Sequence, residues 1–209
     1  MNLKAEQAEA TRTGLLAAAR ELFAERGYAA VGTEEIVQSA RVTRGALYHH
    51  FKGKDDLFRA VVEIVEAELT QRIAVQAAEA ASGGDPLEAL RAGANAFLDA
   101  SLEPEVQRII MLDAPAVLGW EAWHEIAERY GLGLTMGVLQ VAMDAGAIAP
   151  LPVGPLASIL IGALDEAAML VARAEDVEAT RREVGETIEA LIAGLSAERP
   201  ARARARRAR

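Results

Sequence analysis

At 209 residues, 52% of them hydrophobic and 25% charged, the chain is long enough for one or two compact units at roughly 150 residues per domain, and its composition excludes global disorder. It has no cysteine, which excludes a disulfide framework, a thiolate zinc site, an iron–sulfur cluster and a cysteine nucleophile. The net charge of -9 hides an asymmetry: residues 1–55 hold eight Lys or Arg against seven Asp or Glu, residues 56–198 eight against twenty-four, and residues 199–209 six Arg and no acid, so a polyanion is expected at the two ends and is repelled by the middle.

The first twenty residues mix charges of both signs around no apolar h-region, so no secretory signal is expected and the reading is cytoplasmic. Apolar residues recur at helical spacing along nearly the whole chain, and no run alternates with a period of two, which predicts an all-α fold. A first helix is expected from about Glu9 to Arg26, with Leu15, Leu16, Ala19, Leu22 and Phe23 on one stripe and Gly27 ending it. Thr33, followed by Glu34 and Glu35, has N-cap chemistry for a short second helix that faces Ile36, Val37 and Ala40 inward. Thr43 caps a third, which buries Ala46 and Leu47, with Phe51 next in line. After a break at Lys52 and Gly53, Asp55 and Asp56 open a long helix with Leu57, Phe58, Val61, Val62, Val65, Leu69 and Ile73 on its apolar side.

The turn at 82–86 reads SGGDP, and Asp85 is placed to cap a helix that begins at Pro86. Further helices are predicted over about Pro104–Asp113, Trp120–Ala145, Pro155–Ala174 and Val177–Leu195. Ala145–Leu164 runs twenty residues without a charge, but Pro150, Pro152 and Pro155 break it. That predicts a loop followed by an apolar helix, with no membrane span. The organisation expected is a helix-turn-helix domain over residues 1–53, a helical body over 54–198 and a disordered Arg-rich tail over 199–209.

The stretch Thr33–Leu57 carries the chemistry. Two short helices joined by a turn of three or four residues, the second polar on one side, form a helix-turn-helix, whose second helix enters the major groove. Thr33 and Thr43 stand where helix N-termini present free N–H groups to phosphates. Arg44 can reach guanine O6 and N7 with two bonds, Gly45 allows close approach to the duplex, and Tyr48 and Lys54 offer a hydroxyl and an ammonium to flanking phosphates. His49 is assigned to the DNA side and His50 to local packing. Adjacent histidines point about 100° apart on a helix, so no metal site is expected from them. No nucleophile, base or metal set assembles, so no catalytic residue and no cofactor is expected.

With LFAERGY at the end of the first helix, Thr33, Ile36, Ala40 and VTRGALYHHFKGKDDL from Val42 to Leu57, residues 10–58 resemble the DNA-binding domain of the TetR family of bacterial regulators. The resemblance implies a homodimer on a roughly palindromic duplex operator, most often a repressor relieved by a ligand, and a helical effector-binding and dimerisation domain beyond residue 58. One departure is Arg41, at a turn position where the family often has glycine; the expectation is that it contacts a phosphate or groove edge and so offsets its backbone strain.

Candidate effector contacts are Phe97, Met111, Trp120, Trp123, His124, Met136 and Asp165. Aromatic and Met residues at helical spacing are usually core, yet the family's sensing pockets are internal cavities lined by such residues, so both readings stand. Gly131, Gly133 and Gly137 signal either close helix packing or a helix thinned beside a cavity. Acidic residues with few basic partners point to a small lipophilic effector, neutral or cationic. The last two helices carry Leu156, Ile159, Leu160, Val184, Ile188, Leu191 and Leu195, which the resemblance assigns to a four-helix dimer interface. The competing reading is a helical small-molecule-binding or interaction module without operator binding.

Overall fold

The computed structural model describes residues 3–197, which are helical almost throughout; the tail at 199–209 lies outside the described residues. The chain divides into two compact units, one of residues up to 69 together with 100–127, the other of residues 70–99 and from 128 onward.

The first unit opens with α1 (Leu3–Arg26), α2 (Thr33–Ser39), α3 (Arg44–His50) and α4 (Lys54–Ala81), the last of which continues into the second unit. Helix α1 starts six residues earlier than the sequence pattern suggests and ends at Gly27, whose φ of 78° gives the left-handed turn that glycine adopts without steric cost. Leu15, Ala19, Phe23, Ile36, Leu47, Leu57 and Phe58 are fully buried, at about 1.5–3 kcal/mol of transfer free energy for each large side chain. The Phe23 ring meets Phe58 edge-on at 5.2 Å, and Tyr28 lies 4.9 Å from Phe58. Because Leu57, Phe58, Val61, Val62 and Leu69 of α4 are buried here, this unit extends past residue 53.

The rest of the unit differs from a plain helix over 104–113. Pro104 is the first residue of α6 (Pro104–Val106), a π-helical turn follows over Gln107–Asp113, and α7 (Ala114–Leu118) ends at Gly119, with φ 83°. The π-turn buries the consecutive residues Ile109, Ile110 and Met111. It is fastened to α1 through the residue pair before it and to the loop after α1 at its far end. Arg20 pairs with Glu105 at 2.7 Å and with Glu68 at 2.7 Å, and the Asp113 carboxylate accepts the backbone N–H of Tyr28 at 2.7 Å.

The second unit holds the end of α4, α5 (Pro86–Ala100), most of α8 (Trp120–Asp144), α9 (Val153–Ala172) and α10 (Val177–Gly194). Asp85 accepts from the Leu87 N–H at 2.9 Å, the cap expected for α5. Helix α9 begins two residues before Pro155, which remains in the first turn where no intrahelical donor is needed. Helices α5 and α10 are clasped by Arg91–Glu189 at 2.7 Å and Arg181–Asp99 at 2.7 Å. Helix α9 is long and apolar enough to cross a membrane by length and composition, yet it carries the buried Asp165 and 39% of its most apolar window is buried within the protein.

Candidate nucleic-acid interface and ligand-binding features

The exposed side of α3 carries the candidate reading residues. Thr43 is the N-cap, its hydroxyl accepting from Ala46 N–H at 3.2 Å, and Leu47 is turned fully inward. Arg41, Thr43, Arg44, Gly45, Tyr48 and His49 are exposed. Arg41 has φ 55° and is the one non-glycine residue with positive φ among the described residues, so the left-handed turn expected there is present and carries a side chain that costs up to about 1–2 kcal/mol of strain. A Cβ built on Gly45 meets nothing nearer than the Thr43 hydroxyl at 3.8 Å. The protein itself therefore does not require glycine there.

Thr33 corrects the sequence reading. The N-cap of α2 is Gly32, and Thr33 is the first helical residue. Arg44, one turn before Tyr48 on α3, sets its guanidinium 5.5 Å from the centre of the Tyr48 ring. Donation from Arg44 and its positive charge hold the Tyr48 phenol below its ordinary pKa, with Thr33 adding to the effect. Arg44 and Tyr48 thus lie together on the exposed side of α3.

Lys54 is held within the protein. Its ammonium donates to the carbonyls of Tyr28 and Val31, each at 3.0 Å, and lies 3.8 Å from the Tyr28 ring centre. A cation with two carbonyls and an aromatic face around it closes the loop between α1 and α2 and leaves one of its three donors over. Tyr28 donates to Asp55, and burial followed by that bond raises its phenol pKa. His50 is half-buried, with its ring 6.5 Å from Phe51.

The candidate effector residues fall in both units. Met111, Trp120, Trp123 and His124 belong to the first unit, and Phe97, Met136 and Asp165 to the second. The second unit contains an open groove of about 560 Å³ whose lining includes Ala74, Ala77 and Ala78 of α4 and Gly133, Gly137 and Val138 of α8. None of the seven candidates lines it. Gly133 and Gly137 thin α8 beside this groove, since nothing stands within 4 Å of a Cβ built on either, whereas one on Gly131 would touch Ile161 at 3.9 Å.

Trp123 is fully buried, and its indole N–H has no acceptor among the described residues. Of the candidate dimer residues, Ile159 and Leu191 are 68% and 51% exposed, and Leu156, Leu160, Val184 and Leu195 are half-buried. Ile188, at 8% exposure, is used by the unit's own packing. Leu170 on α9, 53% exposed, adds to the apolar face and was not singled out by the sequence pattern.

Comparison with known proteins adds an independent line. Residues 15–61 match the family described as bacterial regulatory proteins, tetR family, and residues 87–195 match the tetracyclin repressor-like C-terminal domain. The chain is 35% identical over 106 residues to the HTH-type transcriptional regulator AcrR of Shigella flexneri, covering 51% of this chain and 48% of that protein. It is 30% identical over 136 residues to the transposon Tn10 TetC protein of Escherichia coli, covering 63% and 65%. The alignments thus span about half to two thirds of those relatives. A TetR-family transcriptional regulator from Pectobacterium atrosepticum has a solved structure that superposes with a TM-score of 0.82 at 35% identity, covering 93% of this chain and 98% of that one.

Proposed function

The chain belongs to the TetR family of bacterial transcriptional regulators, and from that premise we propose that it works in the cytoplasm as a homodimeric regulator of transcription, a repressor that lets go of a palindromic operator when a small effector binds. Residues 1–53 serve as the reading head and residues 54–198 as the sensing and pairing body. The observation that carries this is the exposed face of α3. A left-handed turn at Arg41 sets up a helix whose only fully buried side chain is Leu47, leaving Arg44, Gly45, Tyr48 and His49 outward.

Two such heads, about 34–36 Å apart, read successive major grooves. The apolar face of α9 and α10, centred on Ile159 and Leu191, takes the same face of a second chain. The effector is small and lipophilic, because residues 56–198 hold twenty-four acids against eight bases and repel anions. Helix α4 runs without a break from the head into the body, and an effector that prefers one of its orientations shifts the population of DNA-competent dimers.

The test is a mobility shift with the full chain and duplexes selected from a random library. Wild type retains a palindromic set; Arg44→Ala loses about tenfold or more on that set, the scale of one bidentate base contact. Retention of no duplex at low salt would leave the competing reading, a helical binding module without an operator.

A further inference from the structure

We propose that Trp123 is the hydrogen-bonding anchor of the effector, and that the effector is a neutral, mostly apolar molecule presenting one acceptor oxygen, of the ketone, ester or ether class. This rests on the reading of the chain as a ligand-responsive regulator. Trp123 is fully buried and its Nε1 finds no acceptor among the described residues. Buried indole N–H groups are nearly always paired, because water would otherwise bond them in the unfolded chain. A core position that needs only volume is filled as well by Phe, Leu or Met, which bring no polar atom.

The surroundings specify how a ligand would sit. Trp120, one turn earlier on α8, is half-exposed and meets Trp123 edge-on, with ring centres 4.9 Å apart and planes at 66°. His124 lies parallel to Trp120, 6.1 Å away at 9°. The donor is thus buried beside an aromatic surface that reaches solvent. An indole can only donate, so the ligand must bring the acceptor. A protonated amine brings donors alone, and an anion is disfavoured by the acidic body, which leaves a neutral acceptor. The groove of the second unit is lined by Ala, Gly, Val, Leu and Pro side chains and has no side-chain group with which to orient such a molecule. Trp123 also belongs to the compact unit that holds the reading head, so a ligand there is registered where the duplex is gripped.

The experiment exploits the chain having two tryptophans, whose indole N–H resonances are assigned with Trp120→Phe and Trp123→Phe. The probes are cyclohexanone and methylenecyclohexane, equal in shape and differing in the acceptor, each titrated into the ¹⁵N-labelled full-length protein. The expected result is a saturable downfield shift of the Trp123 indole proton with cyclohexanone only, and binding about tenfold tighter than for methylenecyclohexane, the order expected when a buried donor gains or lacks its partner. In Trp123→Phe the preference disappears. An unmoved Trp123 resonance, equal binding of the two probes, or a bound water that cyclohexanone does not displace overturns the proposal. Operator affinity is measured in the same samples. If the resonance shifts and the duplex stays bound, the Trp123 site stands and it is the reading of the chain as ligand-relieved that fails.

Discussion

Lys54 and Tyr28 hold each other twice: the ammonium donates to the Tyr28 carbonyl at 3.0 Å and lies 3.8 Å from the centre of the same residue's ring. A third attachment, to the Val31 carbonyl, makes Lys54 the latch on the loop that carries α2 into position. Lys54→Met removes the latch while keeping the apolar stem. We expect a loss of about 1–3 kcal/mol in chemical denaturation, since two part-buried carbonyls lose a charged donor. Duplex binding should weaken with the slope of log K against log salt unchanged. A slope reduced by about one unit instead identifies Lys54 as a phosphate contact.

Gly45 and Arg41 separate demands of the fold from demands of the duplex. The free protein has room for a Cβ at 45, so Gly45→Ala should stabilise α3 by up to about 1 kcal/mol and still weaken operator binding, because the duplex needs that space. Arg41→Gly relieves the backbone at φ 55° and should leave thermal stability equal or higher, while shortening the salt slope by about one ion. Unchanged affinity and slope in Arg41→Gly would remove Arg41 from the interface.

The tyrosines predict an alkaline titration with two displaced steps. Tyr48 ionises below the ordinary phenol range, because Arg44 favours its anion, and Tyr28 above it, because burial and Asp55 favour its neutral form. Absorbance of phenolate near 295 nm resolves them, and Arg44→Ala should move the early step upward. For Tyr28 the sign for stability follows from linkage: its folded pKa is raised, so its contribution is complete below about pH 10 and falls as pH rises beyond, where the unfolded phenol ionises first. Tyr28→Phe should flatten that alkaline loss; an equal alkaline loss in the variant contradicts the assignment.

At the pairing face, Ile159→Asp and Ile188→Asp should behave differently. Ile159 is exposed within its own chain, so the charge there is expected to yield a folded monomer by sedimentation velocity. Ile188 is buried, and an unpaired charge at that position should cost about 3 kcal/mol or more and unfold the body. A folded dimer with Asp at 159 would move the interface elsewhere.

Much of the head was legible because its signals are local. The Thr43 cap, the left-handed turn at 41 and the inward Leu47 each follow from residues within one or two turns. Thr33 departs by one position: its residue type suits an N-cap, but Gly32 takes that place and Thr33 is the first helical residue. Lys54, Asp113 with the Tyr28 N–H, and Arg20 with Glu68 and Glu105 are contacts between distant segments, which spacing along the chain cannot reveal. The π-turn at 107–113 differs from an α-helix by its register, and seven residues are too few for periodicity to separate the two. The candidate effector residues rest on residue type, and aromatic and Met side chains are the same types that fill cores, as Met111 does in the π-turn.

The central claim is that two copies of this chain read one duplex through α3. Mass measurement of the complex formed with a selected palindromic duplex, at low salt and nanomolar concentration, tests it most directly. The account predicts an integral number of chain pairs per duplex, an even count whose population Arg44→Ala lowers about tenfold or more while the free protein remains a dimer. A single chain per duplex, or an undiminished complex in Arg44→Ala, contradicts it.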